Sequence, residues 1–107
     1  MACRLEFIDF ICQQIASVGE VRYRKMFGDY MIYANDKPVV IVCDDIAYVK
    51  KHQAIEHLMN EAECGCPYEG AKEHYVLDVS KQQHAVDVVK ALEAVLPYPK
   101  RKTKKNK

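Results

Sequence analysis

The most informative part of the chain is residues 22–33, which read Arg-Tyr-Arg-Lys-Met-Phe-Gly-Asp-Tyr-Met-Ile-Tyr. Two runs of strand-forming residues flank the pair Gly28-Asp29, and such a pair predicts a tight β-hairpin. Gly28 is expected to have a positive φ, which glycine adopts without steric cost. Phe27 is expected to anchor the core. The stretch therefore predicts two antiparallel strands, over residues 21–27 and 30–34.

Two further strands follow through very short connections. Asn35-Asp36-Lys37 predicts a turn into a strand over 38–43, and Asp44-Asp45 predicts a turn into a strand over 46–50. Connections of this length permit antiparallel pairing and no parallel crossover. Pro38 has no N–H to donate, so it is expected at the start of its strand or on an edge. The four strands are thus predicted to form a meander.

Helical periodicity brackets this meander. An N-terminal helix is predicted to end near Gly19, with an apolar face of Leu5, Ile8, Ile11, Cys12, Ile15 and Val18. A short second helix is predicted from Ile55, Leu58, Met59 and Ala62, and a brief strand over 75–77 follows it. A C-terminal helix is predicted to open with a Ser80–Gln83 capping box and to bury Ala85, Val88, Val89, Leu92, Val95 and Leu96.

This order of elements predicts an α+β fold, in which the N-terminal and C-terminal helices pack on one face of a four- to five-stranded antiparallel sheet. The strands over 30–33 and 39–42 are apolar on both faces. Tyr30, Ile32, Val40 or Val42 is therefore expected to reach an exposed patch. We predict a homodimer through the sheet, with the two Met-Phe-Gly hairpins near the interface.

Charge is distributed unevenly along the chain. The 107 residues contain 16 Lys and Arg against 15 Asp and Glu. Six of the basic residues, and no acidic one, are Lys100, Arg101, Lys102, Lys104, Lys105 and Lys107. The rest of the chain therefore has ten basic and fifteen acidic residues, which disfavours a dedicated nucleic-acid-binding domain. We predict one domain over residues 1–97 and a disordered basic tail over 98–107.

The sequence predicts a cytoplasmic protein that does not enter a membrane. The longest strongly apolar run, 39–43, is far shorter than the ~20 residues of a spanning helix. Charged residues between positions 4 and 9 do not fit a signal peptide. The cysteines are Cys3, Cys12, Cys43, Cys64 and Cys66, an odd number at irregular spacing. Without an export signal they are interpreted as reduced thiols.

Cys64-Gly65-Cys66, between His57 and His74, contains residue types that bind zinc. A one-residue gap between two thiolates is narrower than structural zinc sites prefer. Redox chemistry requires nearby cations, and the neighbouring residues are acidic. The chain also contains no Gly-x-Ser-x-Gly and no Gly-rich phosphate loop. We therefore predict no metal, no cofactor and no catalytic residue.

One basic–aromatic cluster lies on the predicted sheet. Arg22, Arg24 and Lys25 are interleaved with tyrosines, and such clusters bind phosphates and stack on bases. The alternative interpretation is an amphipathic strand with solvated cations. These three basic residues, with Lys100, Arg101 and Lys102 of the tail, are the candidate nucleic-acid contacts, and we predict at most weak, non-specific binding, through the tail.

Several stretches resemble the N-terminal domain of the TfoX/Sxy family, over roughly residues 1–97. They are Met26-Phe27-Gly28, Ile32-Tyr33 with Lys37 after a polar turn, Cys43-Asp44-Asp45 leading to Tyr48-Val49-Lys50, and residues 67–75. The family signature would then include Met26, Phe27, Gly28, Tyr33, Lys50, Pro67, Gly70 and Tyr75. We predict a small cytoplasmic, non-enzymatic protein-interaction module, and the resemblance implies that it regulates transcription or competence genes through a protein partner. A nucleic-acid-associated accessory protein and an enzyme of unknown reaction are the alternatives.

Overall fold

The structure is a computed structural model that describes residues 4–26 and 29–96, except for the side chain of Met26. Phe27, Gly28 and residues 97–107 lie outside the described residues. The predicted core role of Phe27, the predicted φ of Gly28 and the predicted basic tail therefore stay predictions.

Within the described residues the chain forms six strands and two α-helices. The elements are α1 (Leu5–Gln14), β1 (Val21–Met26), β2 (Asp29–Ala34), β3 (Lys37–Cys43), β4 (Ile46–Lys50), β5 (Cys64–Gly65), β6 (His74–Val76) and α2 (Gln82–Val95), with 3₁₀ turns at Ala16–Val18 and Gln53–Ile55. All strand pairs are antiparallel, and the strand order is β1-β2-β3-β4-β6-β5. The predicted α+β class and the predicted four-strand meander are both confirmed, but the described sheet has six strands rather than the predicted four or five, because β5 and β6 both add to it beyond β4.

Two tight turns fix the register of the meander. Asn35 and Asp36 connect β2 to β3 with φ of 52° and 70°, and Asp44 and Asp45 connect β3 to β4 with φ of 57° and 61°. Left-handed backbone at both residues of a two-residue loop matches the twist of paired strands, and Asn and Asp tolerate it best after glycine. The two predicted turns are therefore confirmed.

Asn35 also joins the first turn to the start of β1. Its backbone N–H donates to the carbonyl of Glu20 at 2.7 Å, and its side-chain Oδ1 accepts from the N–H of Glu20 at 2.9 Å. Gly19 has a φ of 157°, and a Cβ placed there would collide with the Asn35 amide group. Glycine is required at this position because only it leaves room for Asn35.

The helices cover one face of the sheet. On this face the fully or almost fully buried residues of the sheet are Ile32, Ala34, Val40, Val42, Ala47 and Val49. The residues that α1, α2 and the segment between α1 and β1 contribute to the same core are Ile8, Ile11, Ile15, Ala85, Val88, Val89 and Leu92. Lys37 of β3 connects the sheet to α2, because its Nζ donates a hydrogen bond at 2.8 Å to the carbonyl of Glu93 near the end of α2. A cation near a helix C-terminus also complements the helix dipole.

The predicted exposed patch is wrong. Ile32, Val40 and Val42 are completely buried in the core, and Tyr30 is half-buried against it. Because side chains alternate along a strand, the opposite, helix-free face carries Met31 on β2. This helix-free face also contains Tyr33 and Ile41, and all three side chains are only half-buried.

Several predicted helix boundaries differ from the structure. The N-terminal helix ends at Gln14 rather than near Gly19, and Leu5 is exposed. The predicted second helix is a single 3₁₀ turn followed by irregular turns. A helix of so few residues is marginal in water, and the His52 imidazole, which accepts from the N–H of Ala54 at 3.0 Å, supports only one turn.

The predicted capping box is also wrong. α2 begins at Gln82 after Lys81, and no side chain caps it. Ser80 Oγ instead donates to Asp78 Oδ1 at 2.5 Å, so Ser80 stabilises the turn before the helix. The predicted turn residue Asp29 lies within β2, opposite Met26.

Candidate functional site

A groove of about 800 Å³ opens where α1, the start of β4, the segment 58–63 and the β6–α2 loop meet. Its apolar lining comes from four separate stretches of the chain: Phe7 and Phe10 of α1, Ile46 and Ala47 of β4, Leu58 and Ala62, and Val76, Leu77 and Val79. Phe10 and Ile46 remain 40% and 39% exposed although both are large and apolar. Such side chains at the rim of a concave site are typical of binding surfaces.

The polar lining of the groove is predominantly acidic. Carboxylates of Asp45, Glu61, Glu63 and Asp78 line it, against the cation of Lys81 and the imidazole of His84. Arg4 holds Asp45 in place, since its N–H donates to Oδ1 at 3.0 Å and its Nε donates to Oδ2 at 3.2 Å. Glu61 and Glu63 are exposed, and neither forms an ion pair within the described residues.

The hydroxyl in the groove does not form a nucleophile–base pair within the described residues. Ser80 donates its proton to the Asp78 carboxylate, and this hydrogen bond is the main reason why the pKa of Asp78 lies below its usual value. A serine nucleophile would instead donate to a base such as His84. The arrangement therefore suits recognition of an apolar and basic surface better than acyl transfer.

The sequence predictions did not include this groove. Phe7 and Phe10 are three residues apart and lie outside the apolar face predicted for α1. These two residues form a second apolar stripe on α1. A helix that packs on one side only requires a single apolar stripe, so the second stripe was the sequence signal for an additional binding surface. Ile46 and Leu58 gave no signal, because only the fold brings them together.

The structure splits the predicted basic–aromatic cluster between the two faces of the sheet. Arg22 pairs with Tyr33 across β1 and β2, and Arg24 pairs with Met31, so these residues share the helix-free face. Tyr23, Lys25 and Tyr30 lie on the other face. There the rings of Tyr23 and Tyr30 contact edge to face, with centroids 5.7 Å apart. Arg22 also forms an ion pair with Asp36. The cluster is therefore not one continuous nucleic-acid surface.

The first two residues of the Cys-Gly-Cys segment form the edge strand β5, and Cys66 follows it. Cys64 lies opposite Tyr75, and both Cys64 and Cys66 are exposed. Lys51 lies beside Cys64. Its Nζ donates to Glu73 at 2.7 Å and lies 5.3 Å from the Tyr75 ring centroid. The prediction that no cation is near was therefore wrong.

The pKa of Lys51 is raised above its usual value, chiefly by the hydrogen bond to Glu73 and to a lesser extent by Cys64. No disulfide joins the described cysteines, and burial together with Asp9 raises the pKa of Cys12 to about 11. The described part of the chain brings together no group of three or more His, Cys, Asp or Glu side chains that could hold a metal ion.

The signature residues are spread over the sheet and one loop. Tyr33 and Tyr75 are half-buried in β2 and β6, and Lys50 is exposed opposite His74 at the end of β4. Pro67 is buried, whereas Gly70 has a φ of 88° and faces open space. Met26 ends β1. These residues shape the fold and do not converge on one site.

Neither helix of the described residues has the length and apolar character needed to cross a membrane. A family model for the TfoX N-terminal domain matches residues 13–96. The chain is also 32% identical over 109 aligned positions to an uncharacterized 12.7 kDa protein from the trpE 5′ region of Spirochaeta aurantia. That alignment covers 100% of this chain and 95% of the relative. The chain therefore belongs to the TfoX N-terminal domain family, which is not a known enzyme family.

Proposed function

We propose that this protein is a non-enzymatic, cytoplasmic interaction domain that binds a partner protein in the groove between α1 and β4. The observation that carries the proposal is the combination, in one concave surface, of exposed Phe10 and Ile46 with Glu61 and Glu63, which form no ion pair with the other described residues. An apolar side chain inserted between Phe10 and Ile46 would be desolvated, and flanking Lys or Arg residues would meet the carboxylates. The partner segment is therefore apolar with basic flanks.

The link of the TfoX N-terminal domain family to competence regulation supports a regulatory role for this binding. The hydrogen bond from Ser80 to Asp78 fits such a role, because it leaves the hydroxyl in the groove without a base among the described residues to activate it. The described residues contain all fifteen acidic residues and ten basic ones. That net charge of −5 opposes DNA binding by the fold itself.

A matched pair of substitutions on α1 tests the groove. Phe10→Asp places a charge in the groove, whereas Leu5→Asp places one on a slightly more exposed side chain of the same helix that does not line the groove. Pull-downs from the native cell extract with quantitative mass spectrometry should recover the same partner with wild type and Leu5→Asp and lose it with Phe10→Asp. Circular dichroism controls for folding. Retention of every captured protein by Phe10→Asp would contradict the proposal.

We also propose self-association through the sheet. The interface is the helix-free face, because the residues first predicted to form it are covered by the helices. Met31, Tyr33 and Ile41 are half-buried there, and no described helix covers them. Light scattering at tens of micromolar, where a standard-size interface holds, measures the oligomeric state. A monomer at that concentration would contradict the dimer and leave the groove proposal untouched.

A further inference from the structure

We propose that the outer edge of β1 binds an extended acidic segment of a partner protein by adding it to the sheet as a further strand. This surface is separate from the groove, since no residue of β1 lines the groove. β1 is the first strand in the sheet order and pairs only with β2. An edge strand leaves one side of its backbone available for pairing.

The register shows which backbone groups face outward. The N–H of Asn35 donates to the carbonyl of Glu20, so positions 20 and 35 form a hydrogen-bonded pair just before β1 pairs with β2. Pairs alternate along an antiparallel ladder between hydrogen-bonded and non-hydrogen-bonded types. The backbone N–H and C=O groups of Arg22 and Arg24 therefore point toward β2. The same groups of Tyr23 and Lys25 point away from β2, toward the outer edge of the sheet.

Nothing else in the described structure satisfies these outward groups. No backbone hydrogen bond from the other described segments reaches Tyr23 or Lys25. Both residues are exposed, with 39% of Tyr23 accessible. An incoming strand would thus gain backbone hydrogen bonds at two positions spaced one residue apart.

Charge selects the strand that adds to this edge. Arg24 lies on the helix-free face and Lys25 on the opposite face, and neither forms an ion pair within the described residues. Neighbouring residues of an added strand also point to opposite faces. Two consecutive carboxylates in the incoming segment would therefore meet Arg24 and Lys25 at the same time. The occupant we infer is an extended segment with adjacent acidic residues.

The same charges disfavour pairing of this edge with a second copy of the chain. Two β1 strands paired about a two-fold axis at Tyr23 would place Arg22 directly opposite Arg24, and like charges directly opposite are destabilising. Cations on edge strands commonly block self-pairing for this reason. At this edge they block self-pairing and attract an acidic partner.

The test uses a fluorescent peptide, Thr-Val-Thr-Glu-Glu-Val-Thr-Val, and fluorescence anisotropy with the full chain. Tyr23→Pro removes an outward N–H without removing a hydrogen bond to β2, and Tyr23→Ala is the matched control that keeps this N–H. We expect Tyr23→Pro to weaken binding at least tenfold and Tyr23→Ala to change it less than about threefold. Replacing Arg24 and Lys25 by Glu should shift the preference to the Lys-Lys version of the peptide.

A second measurement decides the question if Tyr23→Pro fails to fold, as judged by circular dichroism. The same peptide with alternate amides N-methylated keeps its charges but cannot pair with a strand, and it should not bind wild type. Equal binding of the methylated peptide, or no binding of the unmodified peptide at millimolar concentration, would overturn the proposal. A single-stranded oligonucleotide serves as the competing ligand. If it binds as tightly as the acidic peptide, and if Tyr23→Pro does not weaken its binding, the site recognises phosphates rather than an added strand. Phe10→Asp should not affect peptide binding, so failure here is distinguishable from failure of the groove.

Discussion

The assignment of the two sheet faces predicts opposite outcomes for two lysine substitutions. Ile32 is completely buried beneath the helices, whereas Ile41 is half-buried on the helix-free face. We expect Ile32→Lys to unfold the protein. We expect Ile41→Lys to leave it folded, because a lysine there can extend its ammonium group into solvent.

The cost at Ile32 follows from the chemistry of a buried amine. A lysine without access to water must be neutral, and deprotonating it at pH 7 from a normal pKa of ~10.4 costs about 5 kcal/mol at 1.36 kcal/mol per unit. Loss of the buried isoleucine adds about 2 kcal/mol. The sum is comparable to the ~5–15 kcal/mol that stabilises a domain of this size. At Ile41 we expect a loss of only about 1–2 kcal/mol, because that side chain is partly solvated.

Urea unfolding followed by circular dichroism measures both changes, and light scattering on the same samples measures the oligomeric state. If the dimer uses the helix-free face, Ile41→Lys should be a folded monomer while the wild type is a dimer. A folded Ile32→Lys together with an unfolded Ile41→Lys would show that the faces are reversed and would refute the packing described above.

Three further predictions concern local features. Gly19→Ala should destabilise the protein by about 1–3 kcal/mol in thermal unfolding. Part of this loss should disappear in an Asn35→Gly background, because the amide group that collides with the new Cβ is absent there. An equal loss in both backgrounds would contradict the steric explanation. At pH 8, iodoacetamide should modify exposed Cys64 far faster than Cys12. The reason is that the Cys12 thiol, with a pKa of about 11, is ionised to thiolate in only about one molecule in a thousand at this pH. Equal modification rates, measured by mass spectrometry, would contradict this. Removing residues 100–107 should leave the melting temperature almost unchanged, and a drop of many degrees would show that the tail docks on the acidic domain.

The parts of the fold that the sequence predicts are those with a local cause. The left-handed turns at Asn35-Asp36 and Asp44-Asp45 require residues that tolerate positive φ, and these residues mark the ends of the strands directly. The apolar face of α2 repeats with helical period and is buried as predicted at Ala85, Val88, Val89 and Leu92. Val95, in the last turn, is 45% exposed, so its predicted burial is wrong. In each case the physical requirement lies within a few residues of the element it defines.

The parts that the sequence does not predict depend on distant segments. β2 and β3 are apolar on both faces, so alternation alone could not show that Ile32 rather than Ile41 points to the helices. β5 is only two residues long and has no period of its own. Ser80 had the sequence context of a helix cap, but its hydroxyl donates its hydrogen bond to the carboxylate of Asp78, two residues earlier, instead of capping α2.

The groove and the β1 edge suit a bivalent interaction domain because they carry opposite charges. The groove presents carboxylates to a basic, apolar segment, and β1 presents cations to an acidic, extended one. A single partner that carries both segments would bind with an effective concentration set by the linker between them, so each contact could be weak on its own. Raising ionic strength would weaken both contacts, but the apolar part of the groove would persist because burial of Phe10 and Ile46 is not screened by salt. Partner binding that survives high salt in the Arg24→Glu variant and is lost in Phe10→Asp would therefore place the main affinity in the groove and the selectivity at the edge.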